Sequence, residues 1–167
     1  MPEVRLERNL RLPADQGAQV LGEILGAIAR QEGPWRGFAL HVGLGDLHLP
    51  DVGYVAIPIH LTAEKSAKAD VFDIAFVAAN LPAAFPAFKG IMGTSPGEIG
   101  ECALYLSGGY ELPMQVFGRL IDATLTPGVA ALSLENFISE IAVACQARVD
   151  QREAEFARYR YYGRAIQ

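Results

Sequence analysis

A chain of 167 residues, 51% hydrophobic and 20% charged, is long enough to bury a core without metals or disulfides. Its formal net charge of -5 argues against nucleic acid as the main partner, because neutralising phosphates takes clustered Lys and Arg. Cys102 and Cys145 form no CxxC or Cys/His pairing and read as buried free thiols of a reduced cytoplasm. The N-terminus shows no apolar secretory segment and no apolar run approaches the roughly 18 residues of a membrane span, so a cytoplasmic chain without stable membrane insertion is expected.

Val4, Leu6, Leu10 and Leu12 alternate with Arg5, Glu7, Asn9 and Arg11, which predicts a half-buried strand over Val4–Leu12. Arg8 falls in the apolar register; it reads as a cation snorkelling at the edge of a frayed or bulged strand, the alternative being one aimed into a pocket. Pro13-Ala14-Asp15 then opens a helix with Asp15 as its N-cap. Val20, Leu21, Ile24, Leu25 and Ile28 make one side of Gln16–Gln31 apolar. Gly17, Gly22 and Gly26 each cost that helix roughly 1 kcal/mol against Ala, which implies either close packing on a sheet or a break into two shorter helices. Gly33-Pro34 ends it, with Trp35 at the turn.

Five strand-like segments follow: Phe38–Gly45, Gly53–Thr62, Val71–Ala79, Ala87–Thr94 and Glu98–Ser107. Their short connections favour an antiparallel meander over crossovers. With Val4–Leu12 they make six strands, and helices confined to the two ends of the strand run make the class α+β. The last strand is expected to turn over Gly108-Gly109 and feed the final helix, with Pro113 tolerated in its first turn and Tyr110 plugging the hinge. From Met114 to about Tyr162 the pattern is helical, with a kink or break expected at Thr126-Pro127-Gly128. Leu134, Phe137, Ile138, Ile141 and Cys145 form its apolar stripe, the face to lay against the sheet.

Phe85-Pro86 before a strand carrying Phe88 and Gly90, the run Leu104-Tyr105-Leu106-Ser107-Gly108-Gly109-Tyr110 leading to Pro113, and Gly118 and Asp122 early in the helix resemble the START-like, or SRPBCC, superfamily. That superfamily includes polyketide cyclases and plant allergen-type binding proteins. The resemblance implies a helix-grip fold: a curved antiparallel β-sheet of six or seven strands wrapped around a long C-terminal helix. It implies a single START-like domain over residues 1–167, of which about 148–167 is a charged, aromatic-containing helix extension. Together with the large apolar residues on the inferred inward faces, it implies a cavity for a small hydrophobic molecule (a lipid, polyketide or aromatic metabolite). Phe76, Phe88, Met92, Leu104, Leu106, Tyr110, Phe117 and Ile121 are the expected lining.

No motif specifies chemistry. By alternation His41 and His60 face away from the apolar register and His48 lies in a loop, so no metal site is expected. Gly43 and Gly45 are half of a dinucleotide fingerprint without its helix, and Ser107 lacks a nucleophile elbow, so no cofactor is expected. Asp73 and Glu101 read as outward carboxylates, and Asp122 as a structural acid. The tail Arg152–Arg164 interleaves Phe156, Tyr159, Tyr161 and Tyr162 with arginines; it reads as a helix end covering the domain edge before it reads as an RNA or membrane contact. A binding protein is therefore the first expectation. A cyclase or aromatase-like enzyme using Arg8, Asp73 or Tyr110 is an alternative. A pocketless interaction module, homodimeric through a sheet edge or the tail, is the other.

Overall fold

The structure, a computed structural model, describes residues 3–43, 53–80, 87–111 and 125–164. Strand β1 (Glu3–Leu10) leads through helix α1 (Ala14–Ala29) and a 3-10 turn at Gly33–Trp35 into β2 (Ala39–Gly43), β3 (Tyr54–Lys65), β4 (Val71–Ala78), β5 (Ala87–Pro96) and β6 (Cys102–Glu111). Helix α2 (Leu125–Arg164) follows. The strands lie in the order β1-β6-β5-β4-β3-β2 and every neighbouring pair is antiparallel. Strands β2 to β6 are thus the expected meander, and β1 adds on beyond β6. The first two strands in sequence become the two edges of one curled sheet, and α2 packs against both edges across the opening. This is an α+β helix-grip fold.

Alternation sets the faces. In β3, Ile57, Ile59 and Leu61 are buried while Tyr54, Ala56 and His60 are exposed, as the apolar register requires. In β4, Ile74, Phe76 and Ala78 turn inward and Asp73 and Val77 outward. In β1, Val4, Leu6, Arg8 and Leu10 share the helix-facing side; the strand carries no bulge, and Arg8 runs alongside α2.

Helix α1 crosses the concave face as one unbroken helix, and its glycines explain how it sits so low. A Cβ on Gly17 would come within 2.9 Å of Cys102 Sγ, and one on Gly22 within 2.8 Å of the Phe72 ring. Close packing, rather than a break, is therefore what those glycines supply. The expected Asp15 cap is not formed: Pro13 holds the N-cap position without a side-chain hydrogen bond, and Asp15 sits in the first turn, where its charge faces the helix's positive end.

The diglycine also differs from expectation. Gly108 and Gly109 do not turn the chain; β6 runs through them to Glu111. Gly90 on β5 stands directly opposite Gly108, and a Cβ on Gly108 would lie 2.6 Å from Gly90 Cα and 2.8 Å from the tip of the Phe88 ring. A pair of facing glycines removes the bulk from the concave side of two adjacent strands, and an aromatic ring lies over the gap. Thr126-Pro127-Gly128 falls in the first described turn of α2, and residues 112–124, over which the helical pattern and any kink into it were expected, lie outside the described residues.

Candidate functional site

The stripe predicted on the last helix faces the sheet: Leu134 and Phe137 are nearly inaccessible, and Ile138, Ile141 and Cys145 are completely so. Below it the barrel divides into two ends. At one, α1 seals the sheet, lying over β3, β5 and β6 so that Val20, Leu21 and Ile24 share one buried core with Met92, Cys102 and Leu104. At the other, a cavity lies between α2 and the sheet, and no residue of α1 is among its described lining. Its sheet wall is Leu40, Val42, Ile57, Ile59, Phe76, Ala78, Phe88 and Tyr110, and its helix wall is Ala130, Ser133 and Leu134.

Aromatic packing shapes this end. Phe76 and Phe88 are cross-strand partners whose rings stack with centroids 5.1 Å apart. Phe137 tilts onto Phe76 at 5.3 Å from α2, and Phe38 and Trp35 continue the series toward the surface at 6.1 and 5.8 Å. The polar side-chain atoms of the described lining are two hydroxyls. Ser133 donates to the Ala130 carbonyl at 2.8 Å, a back-bond within α2, and Tyr110 lies next to Phe88 across β5–β6. Only about 20 Å3 is open to the centre of a water molecule, room for about one water.

Of the expected lining residues, Phe76, Phe88 and Tyr110 come together in this wall. Met92, Leu104 and Leu106 point inward on the same face but belong to the sealed core, each fully buried. Phe117 and Ile121, like Asp122, lie outside the described residues. Leu40, Val42, Ile57 and Ile59 were legible as an inward register without being singled out, because nothing in alternation distinguishes the end of a curled sheet that lines a cavity from its sealed end.

The ionisable candidates scatter. Asp73 and Glu101 are exposed. Arg8 donates from Nε to Ser139 Oγ at 3.0 Å and from its guanidinium to the Glu7 carbonyl at 2.8 Å, outside the cavity. His60 is exposed, whereas His41 is half-buried with Nδ1 2.7 Å from Glu140 Oε1. Asn136 donates to the His41 backbone carbonyl at 2.7 Å. At the other edge of the sheet the Arg11 amide donates to Gln146 Oε1 at 3.1 Å. The polar residues flanking the α2 stripe thus satisfy backbone groups at or just beyond both sheet edges that would otherwise template further strands. Among the described residues no three His, Cys, Asp or Glu side chains converge as metal ligands, and no helix is long and apolar enough to cross a membrane.

Cys102 and Cys145 are both free and buried. Burial pushes the Cys145 thiol up to about 12, with neighbouring Cys102 adding to the effect, and burial likewise raises Cys102. Neither thiol is poised as a nucleophile.

No protein-family model and no curated protein matches the chain. Solved structures do. A conserved protein from Geobacillus kaustophilus superimposes with a TM-score of 0.53 at 11% identity, over 86% of this chain and 95% of that one. The ZhuI aromatase/cyclase from Streptomyces sp. R1128 gives 0.51 at 15% identity, over 90% and 94%. Ara h 8.0201 gives 0.50 at 10% identity, over 90% and 98%. At such identities the likeness is one of architecture, and the helix-grip fold is what this chain shares with these proteins.

Proposed function

We propose that this protein is a single-domain START-like member that binds a small apolar molecule between the concave sheet and α2. The observation that carries the reading is the cavity between α2 and the sheet, whose described lining includes no residue of α1. Its wall is apolar and aromatic-rich, with Tyr110 and Ser133 as its hydroxyl-bearing residues and no charged side chain among its described residues. Such a wall desolvates an apolar ligand and leaves Tyr110 and Ser133 to orient one polar group on it. Pockets for drug-sized ligands run to about 300–1,000 Å3. A metabolite therefore has to spread the lining, with Phe88 and Tyr110 at the wall where β5 and β6 meet.

The cyclase alternative draws its support from the aromatase/cyclase likeness and from Tyr110, the one of its three candidate residues placed at the cavity. The two readings separate on Tyr110→Phe, which preserves binding in the first and abolishes turnover of an apolar polyketone in the second.

Native mass spectrometry of the protein purified gently from its own source, set against the denatured mass, tests the proposal. A releasable extra mass supports it. A bare chain that also shows no rise in Tm with fatty acid, flavonoid or naphthalene-sized probes overturns it.

A further inference from the structure

Past Val149 no described residue of α2 is buried, yet the helix continues to Arg164, 12 residues or about 18 Å past its ion pair with the body at Arg152. Its departure is anchored: Arg152 donates to both carboxylate oxygens of Glu23 on α1 at 2.6 and 2.7 Å, and Arg148 approaches the same group at 3.6 Å. Arg152 itself stands on the apolar stripe and interrupts it, and beyond that anchor two aromatics resume it. At 100° per residue Leu134, Ile138, Ile141, Cys145 and Val149 define one face, and Phe156 and Tyr159 fall on the same face, within about 40° of its centre. Inside the body that face is covered by the sheet. On the projection it meets solvent, with Phe156 71% and Tyr159 79% exposed. Two turns of helix carrying aromatics to water are not stabilised by propensity alone.

Charge says what covers it. Residues 156–164 hold Arg158, Arg160 and Arg164 and no acid, leaving 11 basic against 19 acidic residues, a net charge of -8, elsewhere. A basic aromatic tip on an acidic body is complementary to a second copy of the same chain, while the body's charge opposes approach to an anionic lipid surface. We infer that the projecting end of α2 is a dimer interface, in which two copies pair antiparallel through Phe156 and Tyr159. In a two-fold antiparallel pair, positions on the same flank of the stripe meet each other. Glu153 and Arg160 lie on one such flank, and pairing Phe156 of one copy beside Phe156 and Tyr159 of the other sets Glu153 opposite Arg160 twice over. The tip of each helix then reaches the partner at about Gln151. That residue lines an open groove of about 600 Å3 beside Trp35, Pro34 and Ala144, whose two carboxylates, Glu23 and Glu32, are already paired with arginines of the same chain.

Sedimentation velocity of the full chain over a concentration series tests this. The expected result is a concentration-dependent rise from 18.0 kDa toward twice that mass. F156E/Y159E should be monomeric throughout, with an unchanged far-UV circular dichroism spectrum because both side chains are exposed. Glu153→Arg and Arg160→Glu should each weaken the dimer, and the double variant should restore it. A wild-type chain that stays monomeric overturns the inference, as does one that stays monomeric and pelletes with phosphatidylserine vesicles. So does a dimer that survives F156E/Y159E, or a charge-swapped double variant no stronger than its parents.

Discussion

Gly108 and Gly26 show how one residue type does opposite things at two places. On Gly108 a Cβ would meet backbone, 2.5 Å from the Lys89 carbonyl oxygen and 2.6 Å from Gly90 Cα, so the sheet itself would have to move. On Gly26 it would meet only the end of the flexible Arg30 side chain at 3.0 Å. Gly108→Ala should therefore destabilise by about 1–3 kcal/mol through overpacking. Gly26→Ala should stabilise by up to about 1 kcal/mol through helix propensity. Urea denaturation of the two variants reads both signs. Cys145 carries a pH prediction. Its thiol keeps its proton in the folded chain to about 12, against an ordinary value of 9.0. Stability from this group is fully present below the ordinary value and is lost as pH rises from there through about 12, a decline of at most about 4 kcal/mol. Cys145→Ala should flatten the alkaline limb of stability against pH, whatever it costs in packing at neutral pH.

At the scale of the element, α2 does two jobs along its length. Its apolar stripe closes the core, and the polar residues beside the stripe hold the two edge strands of the sheet. The contact of Asn136 with the His41 carbonyl and of Glu140 with the His41 ring both fall on β2, the short outer strand. Removing the first should cost about 1 kcal/mol, the net worth of an ordinary hydrogen bond, and should loosen one strand in particular. Asn136→Ala is expected to speed amide hydrogen exchange in β2 while leaving β4 and β5 protected. Uniform acceleration across the sheet would mean that α2 supports the barrel as a whole and does not clasp its edge.

For the whole molecule, the proposed function turns on the contrast between the end of the curled sheet that α1 seals and the end where the described residues line a cavity. Leu104 sits in the sealed end, so a bulky substitution there reports on core packing. Ala78, in the cavity wall and nearly inaccessible, is the informative position. Ala78→Leu should fill the cavity at a cost of about 1–3 kcal/mol and abolish any ligand-induced rise in Tm. Phe88→Ala should cost about 3–5 kcal/mol and widen the same space. A thermal-shift panel of apolar probes on the three proteins would show binding in wild type and Phe88→Ala and none in Ala78→Leu if the cavity is the site.

Much of this architecture was legible in the chain. Period-two alternation over Gly53–Thr62 and Val71–Ala79 sorted inward from outward residues, since a side chain's face in a strand depends only on its position in the pleat. The stripe Leu134–Cys145 likewise named the buried face of α2. The places that read wrongly are those where a local signal had more than one tertiary use. Gly108-Gly109 looks like a turn in isolation, and only the opposing Gly90 and the Phe88 ring turn it into a flat patch in a continuous strand. Asp15 looks like a cap, but the chain's entry angle gives that position to Pro13. Sequence by itself determined the elements, their faces and the antiparallel order of the meander, because propensity and periodicity act over a few residues. Tertiary structure alone decided which end of the concave face α1 seals, which inward residues meet a cavity, and where α2 leaves the body, because each depends on groups far apart in the chain reaching the same few ångströms of space.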